Sequence, residues 1–279
     1  MAHYYCLVTG LPDLSLEDGK LSYTVANFKT DIYPQLTSKD RKIIDLFYLK
    51  FDNQNFLTLL KDRQASLEVM GNYSTDELLS IISSINEESK PLAKFPSYFY
   101  DFAGVYLSTP HEERGGLDDL LQGYYYDYAM KCSNSVVSSW YEYNLNLNNI
   151  FSALLARKYQ MEVSKYIVGS NVVADQLRHS NARDFGLSSE LTYFDALLRI
   201  SENTDLVDRE KKLDLLKWNW LEDTTFFHYF SIEKVFVFLN KIDMIERWIS
   251  LDKEKGHEMF RQLIQQLKDE VQIPEEFRK

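Results

Sequence analysis

Proline and glycine are scarce: six prolines and ten glycines in 279 residues, with no proline between Pro110 and Pro274. Both residues punctuate loops and interrupt regular structure, so their scarcity argues against a chain of short strands and tight turns and points to helices. Cysteine is almost missing. Cys6 and Cys132 form no metal-binding or redox spacing and cannot staple a small secreted domain, which suits a reducing cytoplasm. No window approaches eighteen consecutive apolar residues, and the opening Met1-Ala2-His3-Tyr4-Tyr5 lacks a basic leader followed by an apolar core. The expectation is a cytoplasmic protein that neither crosses a membrane nor is secreted, with a peripheral seat at the inner face left open. Positive charge is in deficit: 31 Lys and Arg stand against 42 Asp and Glu, a net −11. Such a balance argues against a sequence-independent grip on nucleic-acid phosphates. It suits docking on a basic protein surface, and it also serves solubility.

Apolar material is plentiful. With 45% hydrophobic and 14% aromatic residues the chain can bury a sizeable core, in one large domain or two to three smaller ones. Ser74-Thr75-Asp76-Glu77 is a capping box, and Leu78, Ile81, Ile82 and Ile85 follow it as a helical stripe. Thr37 with Asp40 resembles a second box and predicts a helix over 38–50, while Pro34 marks a break before it. Leu117, Leu120, Leu121, Tyr124 and Tyr128 line one face of a helix that nothing interrupts before Trp140. Further helices are predicted from Leu191, Phe194 and Leu198; from Leu213, Leu216 and Trp220; from Val235, Phe238, Leu239, Ile242 and Ile245; and from Phe260, Leu263, Ile264 and Leu267. The segment Tyr4-Tyr5-Cys6-Leu7-Val8 reads as a buried helix or an extended start. The class is all-α.

The chain also repeats itself. Laying Asn55 on Asn149, an offset of 94 residues, pairs Phe56 with Ile150, Thr58 with Ser152, Leu60 with Leu154 and Asp52 with Asn146. Each copy reads as helix, polar break, helix, with breaks at 52–55 and 146–149 and an Asn capping the helix that follows. A weaker third copy is read from Leu213 through His228-Tyr229-Phe230-Ser231 into Ile232 to Leu251, with Ser231 in the capping place and no matching Asn. Three similar units follow, at 1–110, 111–203 and 204–279.

Chemistry is harder to find. His3, His111, His179, His228 and His257 have no second His or Cys at helical ligand spacing, so no zinc site is assigned. Asp184-Phe185-Gly186 matches the magnesium-binding tripeptide of protein kinases, yet a His-Arg-Asp loop and a Gly-rich phosphate loop are missing, and it reads as a helix C-terminus. Asp118-Asp119 invites a metal role but lacks a second acidic cluster; as a pair in a first helical turn it is favoured by the macrodipole. Neither a Gly-x-Ser-x-Gly nor a Walker loop occurs, so catalysis and cofactors are not expected. The tyrosines at Tyr98, Tyr100, Tyr124, Tyr125, Tyr126 and Tyr128 suit either an interface or helix packing with hydroxyls reaching water.

The Asn-started segments ending at Lys61 and at Arg157-Lys158 resemble the repeated Asn-x-x-x-x-Leu-Arg-x-Lys segments of the C-type component of the V-type ATPase central stalk, called d in eukaryotes. Residues 1–62, with Tyr4-Tyr5, Leu7-Val8, Gly10-Leu11-Pro12, Lys20-Leu21-Ser22-Tyr23-Thr24-Val25 and Phe51-Asp52-Asn53, resemble an uncharacterised bacterial family. The resemblance implies company with V-type ATPase subunits, since members of that family commonly accompany sets that lack an obvious C-type component. The first resemblance implies three all-helical units forming a funnel-like or curved body, with Asn55 and Lys61 in the first motif, Asn149 and Arg157 in the second, and Lys241 in the third. The third departs: Met244 stands in an acidic place and Glu246 in a basic one. What is implied is a non-catalytic coupler between the soluble stalk and the membrane rotor ring, with other ATPase subunits as partners. The alternatives are a free-standing helical adaptor and an enzyme built on Asp118 and Asp119.

Overall fold

The computed structural model describes residues 4–87 and 90–251, and among them every regular element is helical. The helices are α1 Tyr5–Thr9, α2 Val25–Asn27, α3 Ser38–Lys61, α4 Thr75–Asn86, α5 Ser97–Ser108, α6 Leu117–Ala129, α7 Ser135–Lys158, α8 Val172–His179, α9 Phe194–Glu202, α10 Leu206–Thr224 and α11 Ile232–Ser250. The helix predicted around Phe260 and Leu267, and with it the stretch 252–279 of the unit read at 204–279, lies outside the described residues.

Two 24-residue helices, α3 and α7, carry the architecture. Helix α3 packs on α4, α6 and α11, and α7 packs on α6, α8, α9, α10 and α11, so α11 touches both long helices. Polar contacts secure those crossings: Lys50 of α3 pairs with Asp243 of α11 at 2.5 Å, and Trp140 Nε1 of α7 donates to Asn240 Oδ1 of α11 at 3.1 Å. One hydrophobic cluster runs through the whole described body, from Phe28 and Phe56 to Phe236 and Ile245.

Local signals explain most helix starts. Ser74 and Glu77 make the reciprocal capping box of α4, and Thr37 accepts from Asp40 N at the start of α3. The break expected at Pro34 falls two residues later: Tyr33 keeps helical φ and ψ, Pro34 lies inside a 3₁₀ turn at Tyr33–Gln35, where its missing N–H costs nothing, and the chain turns extended only at Leu36. The tyrosines are mainly core. Tyr98, Tyr100, Tyr125 and Tyr126 are buried, and Tyr128 reaches the surface. Tyr98 donates to Asn53 Oδ1 at 2.6 Å and Tyr125 to Leu46 O at 3.0 Å, so these buried hydroxyls have partners. Burial pushes the Tyr126 phenol up to about 12.

Four further sequence expectations change. The breaks at 52–55 and 146–149 are absent, because α3 and α7 run straight through them. Asp and Asn disfavour helix interiors by bonding to nearby backbone. Here their side chains bond distant segments instead, so the ladder survives. Conversely, the helix expected to continue to Trp140 stops at Ala129, because Asn134 Oδ1 accepts from Val137 N at 3.1 Å and starts α7. Asp184-Phe185-Gly186 is a turn between α8 and α9 rather than a helix end, with φ of 56° at Phe185 and 77° at Gly186. The start is helical, as α1, but that helix has no buried residue.

Candidate functional site

The repeated residues build two similar clamps. In the first, the Asn55 side chain pairs with the backbone of a single loop residue: its Nδ2 donates to Glu68 O at 2.7 Å and its Oδ1 accepts from Glu68 N at 2.8 Å. In the second, Asn149 Nδ2 donates to Val168 O at 2.7 Å and Oδ1 accepts from Val168 N at 2.9 Å. A primary amide offers a donor and an acceptor side by side, as an adjacent strand would, and so satisfies both polar groups of a loop residue pressed on a helix.

One turn earlier on the same face stands the second member of each clamp. Asp52, fully buried, accepts from Asn72 N at 2.9 Å, from Asn72 Nδ2 at 2.8 Å and from Tyr73 N at 3.0 Å. Asn146 accepts from Asn171 Nδ2 at 2.7 Å, and Asn171 in turn caps α8 through Ala174 N at 3.0 Å. The spacing of three residues puts both members on one helix face. Each loop therefore lies along its long helix and leads into a capped helix, α4 or α8.

Cations outside the repeat complete the clamps. Lys29 Nζ donates to the carbonyls of Met70, at 2.5 Å, and Gly71, while Arg178 Nη2 donates to Ile167 O at 2.8 Å and Gly169 O at 2.7 Å. Burial lowers the Lys29 pKa, opposed by the Asp52 and Asp45 carboxylates. Burial raises the Asp52 carboxyl to about 6 against the three N–H groups that favour its ionised form. Two glycines permit the close approach. A Cβ on Gly71 would overlap Asp52 Oδ1, and one on Gly123 of α6 would meet Gly169 N at 3.2 Å.

The other motif residues have separate roles. Arg157 donates to Ser180 O at 2.7 Å, to Arg183 O at 3.1 Å and to Ala182 O, and its guanidinium lies 3.4 Å from the Phe185 ring centroid. It thereby holds the turn at 180–186, where Phe185 is fully buried. Lys61 does much less: it sits 3.9 Å from Asp118, with both side chains more than half exposed, where an ion pair contributes little. Lys241 is buried on α11, 2.7 Å from Glu222 and 4.2 Å over the Trp218 ring, and so ties α11 to α10. The five residues are thus not one site. Asn55, Asn149 and Arg157 fasten loops, Lys241 joins two helices, and Lys61 is a surface charge.

Asp118 and Asp119 occupy the first turn of α6, as the sequence suggests. Among the described residues no group of three or more His, Cys, Asp or Glu is placed to hold a metal. A cleft of about 210 Å³ beside the second clamp is lined by Asp119, Gln122, Tyr126, Asn148, Ser152 and Tyr166, among others. A groove of about 330 Å³ runs between α9 and α10 over Ile200, Leu215 and Leu216. Sequence reasoning missed Asn72, Asn171, Lys29 and Arg178. Asn171 carried a signal, since an Asn ahead of Val172-Val173 and Leu177 has the form of a capped amphipathic start. Lys29 carried none, because its partners lie 41 and 42 residues away.

Fold and site together define an all-helical protein in which two long helices each fasten a returning loop through a buried Asn and a polar residue three positions before it. No helix among the described residues is long and apolar enough to cross a membrane. The chain belongs to DUF2764, a family described as proteins of unknown function, whose model matches residues 1–271. No curated protein and no solved structure matches the chain.

Proposed function

We propose that the protein is a non-catalytic coupling component of a V-type ATPase, similar to the C-type (eukaryotic d-type) member of the central stalk. It would work in the cytoplasm at the inner face of the membrane, between the soluble stalk and the rotor ring. The observation that carries this reading is the duplicated clamp: Asn55 and Asn149, the residues of the stalk-family motif, do the same structural work on two helices of equal length. A coupler must pass strain through packed helices without losing it in yielding loops. Clamping both long loops along the helices beneath them supplies that stiffness, and the third unit, with α10 and α11 joined by Lys241 and Glu222, extends the body. In this role the three units would form the curved or funnel-like shape of such stalks.

The net charge of −11 would meet basic patches on proteins of the stalk or ring. The test is affinity purification from the native host at low and high ionic strength. Recovery of stalk and ring proteins at low salt, reduced at high salt, is the expected result. No ATPase protein in the low-salt eluate would refute the proposal.

A further inference from the structure

The α10–α11 connection exposes three aromatic side chains in four residues. Phe226 is 64% exposed, Phe227 81% and Tyr229 60%, and the Phe226 and Phe227 rings stand perpendicular, 5.0 Å apart. The loop beneath is firmly rooted: Thr225 is buried and donates to Leu221 O at 2.6 Å, and His228 N donates to Thr225 O at 2.9 Å. At the far end Phe230 O accepts from Tyr4 N at 2.7 Å, and the Tyr5 ring lies 4.7 Å from the Phe230 ring. Large rings held outward on a fixed base lose little conformational entropy on binding, which is how aromatic anchors work at protein interfaces.

Two kinds of surface take exposed aromatics: an apolar protein pocket and a bilayer interface. Stable peripheral membrane attachment takes a second signal, commonly a polybasic patch. This loop has none. Among the described residues its titratable neighbours are Glu222, Asp223, His228, Glu233 and Lys234, with Glu222 engaged by Lys241 and Glu233 by Asn134 and, at 3.8 Å, His228, and the chain carries −11 overall. An anionic leaflet repels such a body, whereas a protein pocket bordered by Lys and Arg complements it.

From the geometry we infer that Phe226, Phe227 and Tyr229 form the anchor by which this protein docks into an apolar, basic-rimmed pocket of a partner protein. That the partner belongs to the stalk or rotor ring of a V-type ATPase rests on the function proposed above. The test places the photo-crosslinking residue p-benzoylphenylalanine at position 227 of the full chain in its native host, with position 172, 78% exposed on α8, as control. The protein captured at 227 but not at 172 is then purified. Its affinity is measured for the wild type and for a Phe226→Ser/Phe227→Ser variant whose melting temperature matches the wild type. Loss of anchor rings is expected to weaken binding at least about tenfold. If the captured protein is part of the ATPase and binding weakens so, anchor and coupling reading both stand. A different captured protein with the same loss keeps the anchor and removes the coupling reading. Unchanged affinity of the variant overturns the anchor even where the partner is part of the ATPase. Capture of phospholipid only, or of nothing specific to position 227, overturns it as well.

Discussion

Replacing Asn149 by Ala tests the clamp directly. The side chain is buried inside α7, and both of its polar ends serve the backbone of Val168. Truncation removes two hydrogen bonds at once and leaves the N–H and C=O of a half-buried loop residue without partners. A net hydrogen bond contributes about 1 kcal/mol, and each stranded buried group costs about 1–3 kcal/mol, so a loss of about 3 kcal/mol is expected. For a chain of this size that lowers the melting temperature by about 5 °C. A helix cap at the same position would cost only about 1 kcal/mol, so the size of the effect separates the two readings. Asn149→Asp should cost nearly as much, because a carboxylate still accepts from Val168 N but faces Val168 O with no proton to give. Asn55→Ala should cost less, about 2 kcal/mol, since Glu68 is exposed and its freed groups reach water. Urea unfolding gives the energies, and amide exchange at Val168 gives the location. An Asn149→Ala protein within about 0.5 kcal/mol of wild type, with Val168 still protected from exchange, would refute the clamp.

Gly71→Ala should destabilise by about 1–3 kcal/mol, because its Cβ would push against the fixed Asp52 carboxylate, and a normal urea midpoint would show that the loop yields instead. Asp52 also predicts a pH dependence. Its carboxyl is raised from 3.8 to about 6 in the fold, so the native state holds the proton more tightly, and this group's contribution to stability falls as pH rises from about 4 through 6. Asp52→Asn, which copies Asn146, should remove that slope; identical wild-type and variant profiles of stability against pH would count against it. Arg157→Lys should lower stability by about 2 kcal/mol, since an ammonium cannot reach three carbonyls while covering Phe185, whereas Lys61→Ala should change it by less than about 0.5 kcal/mol. Equal effects of the two in a thermal melt would break the distinction drawn between fastening and surface residues.

The helical class could be read from the sequence because its causes are local. Few Gly and Pro, the box at Ser74 and Glu77, and the stripe from Leu78 to Ile85 act within one or two turns, and they describe α4 as it stands. The repeat was also legible, since Asn55 and Asn149 fall in matching frames of apolar residues. What they do was not legible. A cluster such as Asn146, Asn148 and Asn149 looks like a helix break when local propensity is all there is to weigh, because unpartnered Asn competes with its own backbone. Only the tertiary structure supplies the partners, Glu68 and Asn72 for α3 and Val168 and Asn171 for α7, at separations of 13 to 25 residues. Once those groups are saturated by a distant loop, the helix beneath has no reason to break. The same holds for Lys29 and Arg157, whose charges end on backbone carbonyls that carry no side-chain signature, and for Phe227, an apolar residue that the sequence alone would place in the core.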